Sequence, residues 1–274
     1  MIKKNNAFKK SWRDLREHPR VFVPDVVFIM YAFLAGYLAL YVSGMMSFAE
    51  SLIGVDEVQA EALMRSFFQS SGMGVAVWLG LFVLVSFVVG AGLAAFKYQL
   101  VHDIVMKKKH GMRVVYQRSK AFFWRIVGVK IGVFILFVLV FALASLVFSL
   151  AYTGSPKAAF VAATIVGVML AVLVILLSYM KFPVLYHRDK GAVQTLKESF
   201  MFFKCNKLFV LCIAVIVGFT LFVFRSLLGL LSYGLPALAA LWSMLGLVVL
   251  VVAMTWPSVY MFNAYHANVR SRRR

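Results

Sequence analysis

Residues 180–186 read MKFPVLY, and residues 254–260 read MTWPSVY. Both stretches follow a long apolar run, and both have the order Met, any residue, aromatic, Pro, any residue, aliphatic, Tyr. Proline lacks a backbone donor and frees the carbonyl four residues before it, so Pro183 and Pro257 predict a bend at the end of each run. Aromatic residues flank both prolines, as is typical of a membrane–water interface. The two stretches therefore predict two spans that end with a bend at the same face of a membrane.

The composition supports a membrane protein. The 274 residues are 63% hydrophobic with a mean hydropathy of +0.89, whereas a soluble domain is about 45–50% apolar. Since every backbone N–H in hydrocarbon needs an internal partner, apolar runs of about 20 residues predict helices. We predict an all-α, polytopic bundle that forms a single membrane domain over residues 1–274. Its six predicted transmembrane helices lie near 21–43, 75–96, 126–150, 158–180, 208–231 and 235–262.

The basic residues are unevenly distributed along the chain. Alternate segments, namely 1–20, 97–130, 181–207 and 270–274, hold 26 of the 29 Lys and Arg residues. Basic residues collect in the loops that stay in the cytoplasm, so this pattern predicts a multi-pass membrane protein with both termini inside. The same pattern accounts for the net charge of +19, and no nucleic-acid partner is expected.

Three segments that precede spans resemble one another. They read AFKKSWRDLREHPRVF (7–22), VYQRSKAFFWRIVGV (115–129) and TLKESFMFFKCNKLF (195–209). Aligning Ser11, Ser119 and Ser199 places bases near each serine and bulky apolar residues just after it. Basic helices with aromatic residues on one face lie in the membrane interface. We therefore predict amphipathic interfacial helices on the cytoplasmic side, the first over 1–20, and three parallel repeats about an axis along the membrane normal.

A fourth amphipathic segment lies between the first two spans. Residues 55–70 read VDEVQAEALMRSFFQS, with acids early and apolar residues at helical spacing. Early acids suit a helix N-terminus, and Gly72 suits its end. This pattern predicts a short, separate helix against the outer face.

The longer context of these motifs resembles a known family. The stretches SWRDLREHPRVFVP (11–24), FPVLYHRDKGAVQTLKESFMFFKCNK (182–207) and WPSVYMFNAY (256–265) carry the resemblance. The chain resembles a family of uncharacterised prokaryotic six-span membrane proteins, which is related to the membrane domain of glycerophosphoryl diester phosphodiesterases. The middle stretch, 182–207, has five positions that resemble the family, and these are occupied by Asp189, Gly191, Ala192, Leu196 and Ser199. The resemblance covers most of the chain and implies a fold more than a function. Together with the charge pattern, it implies a multi-pass protein of a prokaryotic cytoplasmic (inner) membrane.

Catalytic chemistry is sparsely represented. The ten acids and five histidines are scattered, and no HExxH, GxSxG or nucleotide-binding glycine loop occurs. The neighbours His102 and Asp103 point in different directions on a helix, which favours a solvated polar face over a metal site or an acid–base pair. Cys205 and Cys212 are too far apart on a helix for a disulfide. We therefore expect no enzyme activity, no metal site and no cofactor.

Charges in or near the spans are the candidate functional residues. Asp25 and Lys130 form a candidate ion pair at the inner leaflet, although Lys130 alone can also extend its amine to the headgroups. Arg225 is a candidate outer-side charge, either an anchor in the outer headgroups or part of a substrate site. The candidate contacts to lipid headgroups are Lys107, Lys108, Lys109, Arg113 and Arg270.

The sequence leaves three functions open. The first is a non-enzymatic integral protein that binds anionic headgroups on the cytoplasmic side and organises the membrane or a partner complex. The second is a transporter or channel for a lipid-like or apolar substrate, since few polar residues lie in the spans. The third is an enzyme that acts on lipid headgroups, which only the family resemblance suggests. Membrane lipids are the expected partners, and a protein partner or a homo-oligomer remains open.

Overall fold

Helices account for all the regular structure in the residues that the computed structural model describes, which are 2–108, 110–152, 156–234 and 239–272. This confirms the prediction of an all-α chain. A 3-10 turn at Pro19–Phe22 separates the first two helices. The helices are α1 (Ile2–Glu17), α2 (Val23–Val42), α3 (Met45–Ser51), α4 (Glu57–Val105), α5 (Met112–Ala151), α6 (Pro156–Ser178), α7 (Lys181–Arg188), α8 (Ala192–Cys205), α9 (Lys207–Gly234) and α10 (Ala239–Arg272).

Several helices are long and apolar enough to cross a membrane. Five qualify within the described residues, or six if α8 and the first part of α9, which meet at 100°, are counted as one broken span. Large apolar side chains along them are exposed, among them Leu34 at 71%, Phe141 at 71% and Met169 at 68%. Water around such surfaces would be unfavourable by about 25 cal/mol per Å², so a bilayer is the solvent that suits them.

The chain divides into two compact units. Unit 1 contains residues 1–22 and 95–274, and unit 2 contains Val23–Ala94. The prediction that residues 1–274 form a single membrane domain stays a prediction.

Unit 2 contains α2, α3 and most of α4. The Asp56 carboxylate accepts a 2.8 Å hydrogen bond from the backbone N–H of Gln59, which caps α4 where the early acids predicted a helix start. Phe48 of α3 stacks on Phe67 of α4 with ring centroids 4.2 Å apart. The prediction of a short, separate outer helix is wrong, because α4 continues through Gly72 for 49 residues, or about 73 Å.

The three segments before predicted spans differ in how they join the following helix. The first is separated from α2 by the 3-10 turn, and the third, α8, ends before Asn206, whose side-chain amide donates to the carbonyl of Phe202 at 2.8 Å. The second is continuous with the rest of α5, which runs unbroken for 40 residues. A separate interfacial helix before the third predicted span is therefore absent from the described residues.

Most of the large buried side chains of unit 1 belong to one region, which we call the helix-end core. It is formed by α1, the C-terminal part of α4, the first part of α5, α7, α8 and the C-terminal part of α10. The side chain of Phe182 stacks on Tyr98 at 4.2 Å, and Tyr186 stacks on Phe122 at 4.2 Å. The Tyr186 hydroxyl also donates to the carbonyl of Ala95 at 2.7 Å. The MKFPVLY stretch therefore joins α7 to α4 and α5.

The MTWPSVY stretch joins α10 to α1. Trp256 is 1% exposed and stacks on Tyr260 at 5.3 Å and on Trp12 at 5.5 Å. One turn further along, the side-chain amide of Asn263 donates to the Asp14 carboxylate at 2.8 Å and to the Ser11 hydroxyl at 3.3 Å. The aromatic residues of both stretches were predicted to face the membrane interface. That interpretation is wrong for Trp256, Tyr260 and their counterparts, because protein side chains bury them.

The two prolines do not end their helices in the same way. The chain passes from α6 to α7 across Tyr179 and Met180, so Pro183 lies in the first turn of α7, where its missing donor costs little. Pro257 lies inside α10, which continues to Arg272. Pro257 therefore does not end the helix, and the point at which the last span ends stays a prediction. Near Pro257, the Lys97 amine donates to the carbonyl of Met254 at 2.8 Å, and packing against α1 stabilises the helix on both sides of the proline.

The three aligned serines are all buried. Each hydroxyl donates to a backbone carbonyl: Ser11 to Ala7 at 2.6 Å, Ser119 to Tyr116 at 2.7 Å and Ser199 to Leu177 at 2.9 Å. The first two bonds lie within one helix, and the third joins α8 to α6. A small side chain that satisfies its own hydroxyl suits a place where a helix packs closely against its neighbours.

Gly128 and Gly132 of α5 allow α8 to approach closely, as their spacing predicted for packing within the bundle. A Cβ at position 128 would lie 2.8 Å from the Cβ of Ala192, and one at position 132 would lie 2.6 Å from a Leu196 methyl group. Ala192 and Leu196 are two of the family-like positions of the sequence. Their placement shows that these positions serve packing.

We expect Gly128→Ala to lower the free energy of unfolding by about 1–3 kcal/mol, because the new methyl group meets the short, rigid side chain of Ala192. Thermal unfolding in detergent measures the loss. Gly218→Ala is the matched control, since no heavy atom lies within 4 Å of the corresponding Cβ. Adding Ala192→Gly to Gly128→Ala should recover part of the loss, and additive losses in the double variant would refute the contact.

Candidate functional site

A cavity of about 410 Å³ lies between the C-terminal half of α1, the 3-10 turn and the end of α4. We call it the basic cavity. All its walls belong to unit 1. Its volume is typical of small-ligand sites, which range from about 300 to 1,000 Å³. The residues that line it are Lys10, Arg13, Asp14, Glu17, His18, Arg20, Ile104, Lys107 and Lys108.

Helix α1 brings several of these side chains together by its periodicity. Lys10, Arg13 and Glu17 are spaced three and four residues apart, which puts them on one face of a helix. Asp14 is 7% exposed and is held by the amide of Asn263, so α10 fixes the rotation of α1 about its axis. The apolar face of α1 packs on α10, and its charged face is thereby directed to the cavity.

The end of α4 presents the two lysines. The backbone N–H of Lys108 donates to the carbonyl of Asp103 at 2.8 Å, and that of Lys107 donates to Ile104 at 3.0 Å. This pair of bonds is the Schellman motif, which needs a left-handed residue after the helix. Lys107 occupies that place with a φ of 57°, where glycine is usual and another residue costs roughly 1–2 kcal/mol. The chain therefore holds a lysine in a conformation that its side chain does not favour.

Arg20 connects the cavity to a buried polar network. Its Nη1 donates to the carbonyl of His110 at 3.2 Å, while its Nε is buried without a hydrogen-bond partner among the described residues. The His110 ring nitrogen Nδ1 lies 3.0 Å from the Asp103 carboxylate, which also accepts a 3.0 Å bond from the Gln99 amide. The network thus fixes the segment that holds Arg20 at the cavity wall.

The interpretation of His102 and Asp103 as a solvated polar face is wrong. Asp103 is 3% exposed, and His102 Nδ1 lies 3.5 Å from its carboxylate. The His110 ring contacts the Asp103 carboxylate, and the spacing of His102 and Asp103 within one helix does not predict this contact. The carboxylate accordingly serves as a structural acceptor for its neighbours.

The lining of the basic cavity has an excess of positive charge. It contains five Lys and Arg side chains and two carboxylates, so its formal charge is +3 with histidine neutral. Asp14 already accepts a bond from Asn263, and Glu17 lies 3.9 Å from Arg13. Clustered like charges facing one space repel one another and attract an anion. The arrangement suits an anionic group better than a neutral or cationic one.

A second cavity lies along the apolar part of unit 1, between α5 and α6. It has a volume of about 530 Å³ and lacks charged residues in its lining. Its lining includes small residues such as Ala144 and Gly167, and the hydroxyls of Ser145 and Thr164 are among its few polar groups. Its dimensions and apolar walls suit a hydrocarbon chain.

The structure separates the candidate headgroup contacts. Lys107 and Lys108 line the basic cavity, whereas Arg113 is exposed at the start of α5 and is not part of the lining. Lys109 and the side chain of Arg270 lie outside the described residues, as does the side chain of Arg225.

The candidate ion pair spans the two units. Asp25 is 4% exposed in unit 2, and Lys130 belongs to α5 in unit 1. The pairing of these two side chains stays a prediction.

Sequence reasoning missed the contribution of α1 to the site. Lys10, Arg13 and Arg20 were counted only as part of the basic N-terminal segment. The spacing of Lys10 and Arg13 on one helix face was the available signal, but nothing local places that face against α4. The ion pair between Arg125 and Asp189, which are 64 residues apart, was missed for the same reason. Asp189 also adopts a left-handed conformation, with a φ of 52°, at the end of α7.

Replacing Asp103 by alanine should destabilise the protein by about 1–3 kcal/mol, because the buried Gln99 amide and the His110 ring lose their acceptor. Thermal unfolding in detergent measures the effect. Glu61→Ala is the control, since Glu61 is an exposed acid of the same helix and its loss should change the melting temperature little. Equal melting temperatures for the two variants would contradict the role given to Asp103.

Among the described residues, no group of three or more His, Cys, Asp and Glu side chains is arranged to hold a metal ion. Comparisons with protein-family models, with curated proteins and with solved structures find no match. A proposal for the function therefore rests on the geometry of the two cavities and on the distribution of charge.

Proposed function

We propose that this chain is a six-span protein of a prokaryotic cytoplasmic membrane that binds anionic lipid headgroups in the basic cavity and organises the membrane or a partner complex. The observation that carries the proposal is the +3 lining of that cavity beside helices that are apolar enough to cross a bilayer. An anionic surface attracts each nearby base by about 1 kcal/mol, so several bases around one cavity give useful affinity. The proposal needs no catalytic group.

The proposed topology places both termini and the basic cavity in the cytoplasm. Its support is the alternation of basic and base-poor segments along the chain, with the broken pair α8–α9 counted as one span. Three parallel repeats belong to the same proposal, supported by the equivalent burial of Ser11, Ser119 and Ser199. We also propose that the chain is related to the uncharacterised six-span family that its sequence resembles.

Cysteine labelling tests the topology. In a Cys205→Ser, Cys212→Ser background, Lys108→Cys should resist a membrane-impermeant maleimide added to intact cells and react after the cells are opened. Glu61→Cys, on the base-poor side, should react in intact cells. Labelling of Lys108→Cys from outside would refute the proposed orientation.

Reconstitution tests lipid binding. We expect a higher melting temperature in nanodiscs that contain anionic lipid than in nanodiscs of zwitterionic lipid, because a ligand that binds only the folded state stabilises it. The double variant Lys107→Gln, Lys108→Gln should lose most of that increase. The double variant Lys197→Gln, Lys204→Gln removes the same charge from exposed positions of α8, outside the cavity, and should keep most of it. Identical melting in both kinds of nanodisc would refute the proposal.

The apolar cavity between α5 and α6 favours a second candidate, a transporter for a lipid-like substrate. Its apolar walls accept an acyl chain, and its hydroxyls are too few to solvate an ion. The test is transbilayer movement of a labelled lipid in reconstituted vesicles. Movement that the cavity-filling substitution Ala163→Phe blocks would favour this function over the first.

A further inference from the structure

Three cations of the basic cavity have no acidic partner among the described residues. These are Arg20, Lys107 and Lys108, and they approach the cavity from two directions, the 3-10 turn and the end of α4. The Arg20 side chain is fixed through Nη1 by the carbonyl of His110, which is a neutral acceptor and leaves its charge uncompensated. The Nε of the same guanidinium is buried and lacks a hydrogen-bond acceptor among the described residues, so this wall of the cavity also has an unused donor.

The two carboxylates of the lining do not compensate the charge of these three cations. Asp14 faces α10, where the Asn263 amide binds it at 2.8 Å. Glu17 is exposed and lies 3.9 Å from Arg13, four residues earlier on α1. Among the described residues, neither acid of the cavity forms an ion pair with Arg20, Lys107 or Lys108.

We propose that the basic cavity selects phosphate monoesters, the dianionic class of headgroup, over singly charged phosphate diesters. This inference rests on the proposed function and names the ligand class of the same site. A monoester carries about −1.5 to −2 charges at pH 7 and offers three acceptor oxygens, whereas a diester carries one charge. Three cations that surround one space are better compensated by the first, because the guanidinium and the two ammonium groups can each reach an oxygen.

The backbone of Lys107 supports a ligand at this place. Glycine would suit its left-handed conformation better, so the lysine side chain there is held against a conformational cost. Strained positions of this kind cluster at ligand sites. The strain also supplies a clean test, since Lys107→Gly removes the charge and relieves the backbone at once.

The experiment uses the full-length protein in an uncharged detergent at pH 7.5. Water-soluble dihexanoyl lipids are titrated against it, and affinities are read from melting temperatures and from native mass spectrometry. The probes are dihexanoyl phosphatidate as the monoester, dihexanoyl phosphatidylglycerol as the diester and inorganic phosphate as the headgroup alone. We expect the phosphatidate to bind about tenfold more tightly than the phosphatidylglycerol, as one additional charge-assisted hydrogen bond would give.

The variants connect the preference to the cavity. Lys107→Gly should raise the melting temperature without ligand and reduce the monoester preference, and this combination excludes misfolding as the cause of weaker binding. Lys108→Gln should also reduce the preference. Arg113→Gln is the matched control, because it removes one charge from an exposed position outside the lining and should leave the preference unchanged.

Three outcomes decide the inference. Inorganic phosphate that binds as tightly as phosphatidate would assign the site to a soluble phosphate and would keep the dianion preference. Equal affinities for phosphatidate and phosphatidylglycerol would overturn the preference and leave anionic lipid binding intact. Failure of every anionic probe to bind would overturn both the preference and the proposed function.

Discussion

The structure of unit 1 depends on the packing of aromatic side chains from two proline-containing stretches in the helix-end core. Tyr186 and Phe182 connect α7 with α4 and α5, and Trp256 and Tyr260 connect α10 with α1. Aromatic side chains bury 150–250 Å² each, so a few of them dominate the energy of such a region. The helices are therefore held at their ends, while their apolar middle parts remain exposed.

This arrangement follows from what a bilayer can and cannot do for a helix. Between apolar helices the lipid removes most of the hydrophobic driving force, and small residues and polar contacts must supply the specificity. Gly128 and Gly132 supply close approach between α5 and α8. Asn263 binds Asp14 and Ser11 across the α1–α10 contact, where unpaired polar groups would be costly. At the backbone break at Asn206, the side-chain amide of that residue donates to the freed carbonyl of Phe202.

The same packing creates the basic cavity. Helix α1 cannot bury Trp12 and Phe8 against α10 without directing Lys10 and Arg13 away from it, since these side chains lie on the other face. The Schellman motif then brings Lys107 and Lys108 to the opposite wall, and the Asp103 network holds the loop that follows. An electropositive space thus results from the packing that stabilises this junction.

The sequence by itself determined the helical class, the approximate places of the apolar helices and the basic segments between them. These features are local, because hydropathy over about 20 residues and the order of charges decide them. The sequence singled out the two proline stretches, but their aromatic residues were interpreted as contacts with the membrane interface, whereas protein side chains bury them. Only the tertiary structure decided that Trp256 meets Trp12, that α10 continues past Pro257 and that Asp103 is buried. It also decided which of the many Lys and Arg residues share one cavity. Each of these depends on contacts between residues far apart in the chain, and periodicity within a single helix carries no information about the partner that its face will meet.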